Sequence, residues 1–81
     1  MTESDVLIRL QRVFDDTFLE KVTVTPELSA TDVEEWDSLL HISLILAVEK
    51  EFGIRFRMGE VEATRNVGDL ANLIIRRADG K

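Results

Sequence analysis

Apolar residues recur at helical spacing in three stretches of the chain, and these stretches set the expected architecture. In the first, Val6, Leu7, Leu10, Val13, Phe14 and Phe18 share one face, which predicts a helix over Ser4 to Leu19. Thr2, with Asp5 three residues on, supplies a capping-box start. The second and longest apolar run, Leu39 to Phe52, predicts a helix from Ser38 to Phe52. Asp37 is a good N-cap for it, Gly53 suits the left-handed position that ends a helix, and Ile54 offers the hydrophobic contact that follows. The third helix opens at Asn66, with Asp69 three residues later, and carries Val67, Leu70, Leu73 and Ile74 on its apolar face. Residues 77–81 are expected to fray. Helices 1 and 2 are joined by a long connection, Glu20 to Trp36, in which Thr25-Pro26 disfavours helix. Val22, Val24, Leu28, Val33 and Trp36 are spaced along it to tie it to the core. Ile54-Arg55-Phe56-Arg57 alternates as a short extended link, and a single-turn helix is expected near Gly59 to Ala63. The expected fold class is all-α: a small four-helix bundle of three main helices and one short one, with a long loop between helices 1 and 2.

The second helix is apolar on two sides. At 100° per residue, Leu44, Ile45, Val48 and Phe52 form one stripe, which belongs to the core. Leu39, Ile42 and Leu46 form another, bordered by Ser38 and Glu49 on one side and by Ser43 and Lys50 on the other. Such a second stripe either packs beneath the loop or the short helix, or faces a partner.

With 81 residues the chain is expected to make one domain, 1–81, with room for one core and little room for an enclosed active site. Hydrophobic residues at 44% beside charged residues at 32% exclude a disordered chain. No apolar run approaches the roughly 18 residues of a membrane span, and the acidic N-terminus lacks a signal-peptide pattern. The absence of cysteine removes disulfides, thiolate metal sites and a thiol nucleophile. These features lead to the expectation of a cytoplasmic, monomeric protein without membrane insertion. The net charge of −6 is uneven: residues 1–37 hold ten acids and three bases, residues 38–81 six acids and seven bases. From Glu27 to Asp37 there are five acids and no base, a stretch that repels nucleic acid. It serves either as a solvated loop or as an attractor for a basic protein surface.

Ser38 is the candidate with chemistry attached to its position. It falls in the first turn of the second helix, where backbone N–H groups lack intrahelical partners. A phosphate on its hydroxyl is stabilised there by those donors and by the helix dipole. If Ser38 anchors a phosphate-linked arm, the chain is a carrier and not an enzyme. The single histidine, His41, lies three residues on and invites a Ser–His dyad, but a nucleophile also needs an oriented base and an oxyanion site, and neither has a supplier. The adjacent pairs Asp15-Asp16 and Glu34-Glu35 lack metal-ligand spacing, and there is no glycine-rich phosphate loop. The expectation is therefore no catalytic residue and no metal site. The alternative to a carrier is a cofactor-free helical interaction module that uses Leu39, Ile42 and Leu46.

Asp37-Ser38-Leu39, opening a helix that ends Glu49-Lys50-Glu51-Phe52-Gly53-Ile54, resembles the acyl carrier protein family, and the resemblance spans nearly the whole chain. It implies that a phosphopantetheinyl transferase joins 4'-phosphopantetheine from coenzyme A to Ser38. The thiol of that arm then holds an acyl or aminoacyl group as a thioester. The resemblance further implies that Asp37 and Leu39 take part in recognition of the attachment site. It implies partner contacts at Leu39, Ile42, Leu46, Glu49, Glu60 and Glu62, and an acyl-chain cleft near Ile42, Leu46, Ile54 and Val61. The partners it implies are the transferase, a loading ligase or synthase, and downstream transferases of fatty-acid, polyketide or related specialised biosynthesis. The chain departs from carriers of fatty-acid synthesis, which place glycine and a small or apolar residue before Asp-Ser-Leu; here Glu35-Trp36 stand there. Those carriers also place acids where this chain has Leu40 and Ser43. Arg55 and Arg57 add basic charge nearby. These changes imply a specialised stand-alone carrier recognised more through apolar contact than through charge. Trp36 either plugs the core or packs on the base of the arm.

Overall fold

A computed structural model describes residues 1–57 and 59–79. Its first helix starts as the capping signal requires: the Thr2 hydroxyl accepts from the Asp5 amide at 3.2 Å, and the Asp5 carboxylate accepts from the Thr2 amide at 3.4 Å. Helix α1 covers Glu3–Thr17. It stops two residues short of the expected Leu19 because the Leu19 and Glu20 amides turn away to the Glu35 carboxylate, at 2.8 and 3.1 Å.

Helix α2 covers Ser38–Phe52, the bounds its apolar run predicts. Gly53 follows in the left-handed region at φ 65°, a conformation that costs glycine nothing. The Ile54 amide then reaches back to the Glu49 carbonyl at 3.1 Å, and its side chain is buried. Helix α3 covers Val67–Asp79. The Asn66 side chain caps it by accepting from the Asp69 amide at 2.9 Å. Its next orphan donors, the Val67 and Gly68 amides, are taken at 2.8 Å by the Leu28 and Pro26 carbonyls of the long loop. At Gly68 the loop comes so close that a Cβ would lie 3.1 Å from the Pro26 carbonyl oxygen.

Helix α3 is assigned through Asp79, and the Arg77 guanidinium is held by both carboxylate oxygens of Glu60. Gly80 and Lys81, expected to fray with residues 77–79, lie outside the described residues. One expectation is corrected. Residues 59–63 form successive turns rather than a helix, closed by bonds such as Ala63 amide to Gly59 carbonyl at 3.2 Å. Gly59 sits there at φ 88°, and the Glu60 carboxylate accepts the Arg57 amide in place of a backbone carbonyl. The short helical element lies instead in the long loop, as a 3-10 turn over Ala30–Asp32. Among the described residues the fold is three helices plus this turn, with no strand.

Helix α1 packs against both other helices. Val6, Leu10 and Phe14 of α1, Leu44 and Val48 of α2, and Val67 and Ile74 of α3 form the fully buried centre. The long loop is pinned to it by Val22 and Val33. Gln11 adds two bonds to that loop, donating to the Val22 carbonyl at 2.7 Å and accepting from the Val24 amide at 2.9 Å. Arg9 clamps the far end of α2: it donates to the Glu51 carbonyl at 2.6 Å and its carboxylate at 2.9 Å, and lies 4.4 Å over the Phe52 ring. The start of α2 is thus fixed by the loop and its end by α1, and the Ser38 turn projects from a rigid frame.

Candidate functional site

Asp37 builds the site by capping α2: its carboxylate accepts from the Leu40 amide at 2.8 Å, and its carbonyl accepts from the His41 amide at 2.9 Å. That leaves the Ser38 and Leu39 amides as the uncommitted donors of the first turn among the described residues. Ser38 itself is exposed. An oxyanion on its hydroxyl has free N–H groups beside it and the positive end of the helix dipole beneath it.

The second stripe of α2 is open to solvent. Leu39 is 76% exposed, Ile42 58% and Leu46 61%, so packing under the loop or the short element is ruled out. Its opposite face carries Leu44, Val48 and Phe52 into the core, with Ile45 half-buried. Ile42 and Leu46 also line a groove of about 230 Å³ on α2, closed by Phe56, Arg57, Val61 and Glu62 and bordered by the half-buried His41. The structure does not bring Ile54 into that groove. Ile54 is buried and borders a separate depression with Leu46, Gly53 and Arg55.

The acidic residues divide by what they hold. The Glu49 carboxylate accepts from the Phe56 amide at 2.8 Å, fixing the chain after α2. Glu60 is occupied by Arg77 and by the Arg57 amide at 2.6 Å. The Arg77 bond first, and the Arg57 amide second, hold its carboxyl below the usual carboxylate range against the opposing effect of desolvation. Glu62 is exposed and stands on the rim of the groove with Arg57. In the stretch from Glu27 to Asp37, Asp37 caps α2 as expected, but neither reading of the acidic run covers what Asp32 and Glu35 do. The Asp32 carboxylate accepts from the Ser29 amide at 3.0 Å, and the Glu35 carboxylate accepts two amides at the end of α1. Glu27 and Glu34 remain on the surface.

Trp36 and His41 form a pair that sequence spacing does not signal. The indole packs edge-on to Phe14 and Phe18, with centroids at 5.4 and 5.6 Å, so its inner side plugs the core. Its Nε1–H donates to His41 Nδ1 at 3.1 Å, with the two rings side by side, their planes 25° apart and their centroids 6.1 Å apart. Trp36, His41 and Ile42 line a depression of about 610 Å³ that also contains Asp37 and Ser38. With Nδ1 already engaged by the indole, His41 is not the base of a Ser–His dyad held in place by an acid. Among the described residues no group of acids and histidines is arranged to hold a metal, and no helix is long and apolar enough to cross a membrane.

Comparison with known proteins places this geometry. Residues 31–74 match the family model for a phosphopantetheine attachment site. The chain is 28% identical over 75 residues to acyl carrier protein 2 of Ralstonia nicotianae, covering 91% of this chain and 93% of that one. It is 31% identical over 75 residues to an acyl carrier protein of Thermosynechococcus vestitus, with the same coverage. The solution structure of a holo acyl carrier protein from Geobacter metallireducens superimposes with a TM-score of 0.76 at 37% identity, over 98% of this chain and 87% of that one.

Proposed function

The chain belongs to the acyl carrier protein family, whose attachment domain bears 4'-phosphopantetheine, and on that premise we propose that Ser38 is the residue that anchors the arm. The single observation that carries the assignment is an exposed hydroxyl in the first turn of α2, flanked by the uncommitted amides of Ser38 and Leu39. The residues present fit a phosphodiester: two free donors, a helix N-terminus and an open depression alongside. When bound, the group supplies a terminal thiol that holds acyl cargo as a thioester, chemistry for which a chain without cysteine has no side chain of its own.

The Ser38 hydroxyl oxygen bonds to the pantetheine-bearing phosphorus of coenzyme A, losing its proton, as the pyrophosphate P–O bond breaks and adenosine 3',5'-bisphosphate leaves. A phosphopantetheinyl transferase catalyses that step; the chain itself is non-catalytic. Leu39, Ile42 and Leu46 form the docking stripe for the transferase, for a dedicated loading ligase or synthase, and for downstream transferases. Among the acids expected to meet partners, Glu62 is the one free to do so, because Glu49 and Glu60 are engaged within the chain. Docking is accordingly weighted toward apolar contact. The groove lined by Ile42, Leu46 and Val61 is the recess available to an apolar cargo. The carrier works in the cytoplasm beside its coenzyme A-dependent loader. Intact mass after incubation with coenzyme A and a broad-specificity transferase tests the proposal. Wild type gains one phosphopantetheine and Ser38→Ala gains none; an equal gain in both contradicts it.

A further inference from the structure

We infer that His41, held by Trp36, is a positioning residue that donates its Nε2–H to a phosphodiester oxygen of the arm. This inference rests on the assignment of Ser38 as the anchor. An indole N–H can only donate, so the nitrogen it meets at 3.1 Å must be the bare one, and the proton of this imidazole sits on Nε2. The ring is then held by that bond to an indole that is itself wedged against Phe14 and Phe18. Nε2–H has no acceptor among the described residues.

Helix spacing places this donor's ring beside Ser38. Residues three apart on a helix bring their Cβ atoms to about 5–6 Å, and helical side chains lean toward the N-terminus, so His41 leans over the turn that carries Ser38. Both residues border the same depression, whose wall is the Trp36 ring. The Ser38 and Leu39 amides approach an oxyanion on Ser38 from the helix end, and His41 supplies a further donor from the helix side. The base of the arm is thereby seated against Trp36, and its first bonds are directed along α2 toward the groove lined by Ile42 and Val61, which His41 also borders.

The test uses the full chain in apo and holo forms, with loading at Ser38 established by mass. In wild type, nitrogen-detected NMR is expected to show a shift of the His41 Nε2 resonance on loading, with the proton retained on that nitrogen. Phosphorus NMR of the holo protein is expected to show a shifted phosphodiester resonance in His41→Phe, which keeps a ring without the donor. In His41→Gln, which restores an N–H, the resonance returns toward wild type. Should His41→Phe fail to fold by circular dichroism, the apo-to-holo comparison in wild type and the Gln variant decide alone. An unmoved Nε2 resonance, or coincident phosphorus resonances in folded wild type and Phe variants, overturns the role of His41 while leaving Ser38 as the anchor. Absence of any mass gain at Ser38 overturns the anchor, and this inference with it.

Discussion

Ser38 is available because its neighbours are occupied. Asp37 spends its carboxylate on the cap of α2, a contact that contributes about 1 kcal/mol to helix stability, and Trp36 is held by Phe14, Phe18 and His41. Leu39, next to the hydroxyl, touches none of this and lies open. Leu39→Ala is therefore expected to leave helicity and melting temperature unchanged. It should slow modification roughly tenfold through lost apolar contact with the transferase, as read in a time course of intact mass. A fall in helicity would instead place Leu39 in the core. The exposed serine, the cap before it and its apolar neighbour are legible in the sequence because a cap, a first turn and the next residue are local relations. The Trp36–His41 bond is not, since it depends on where an extended loop end lies against a helical turn. For the same reason Glu35 reads as one more acid in an acidic run, although it accepts two amides at the end of α1.

At the scale of elements, the helix ends follow side-chain chemistry written within a few residues. Thr2 with Asp5, Asp37, Gly53 and Asn66 all occupy the positions their types favour. The short helical element is different. The sequence places it near Gly59 to Ala63, whereas the Glu60 carboxylate and the positive φ of Gly59 produce turns there. Glu60 then ties this segment to the last turn of α3 through Arg77, so that the outer wall of the groove and α3 hold one another. The carboxyl is held below its ordinary value in the folded chain, so this contribution to stability is present above the ordinary carboxylate value. It is lost as pH falls through the lowered folded value. In Glu60→Gln the acid limb of a plot of melting temperature against pH should be flatter than in wild type. The two proteins should differ at neutral pH and converge below the folded value. Parallel curves across that range would show that the ion pair adds nothing.

At the scale of the whole molecule, a chain of this size has a stability of only about 4–12 kcal/mol, so residues of the exposed stripe cannot be drawn from the core without cost. Helix α2 carries both: Leu44 is fully buried on one side and Leu46 is open on the other. Leu44→Ala should cost about 2–5 kcal/mol and lower the melting temperature by roughly 4–8 °C for each. Leu46→Ala should stay within about 0.5 kcal/mol of wild type. Equal effects of the two, measured by thermal unfolding, would mean that the stripe is structural. The division between faces is readable from periodicity, but whether the second stripe is covered depends on where the long loop and the turns at 59–63 lie, and only the tertiary arrangement decides that. The proposed carrier role needs this separation: a buried core on one side, and on the other an exposed serine, an apolar stripe and a groove open to solvent. Fragment mass spectrometry of the protein loaded from coenzyme A tests that account most directly. It predicts phosphopantetheine on the peptide containing Asp37-Ser38-Leu39, localised to Ser38. Loading at any other residue, or none on a folded chain offered an active transferase, would contradict it.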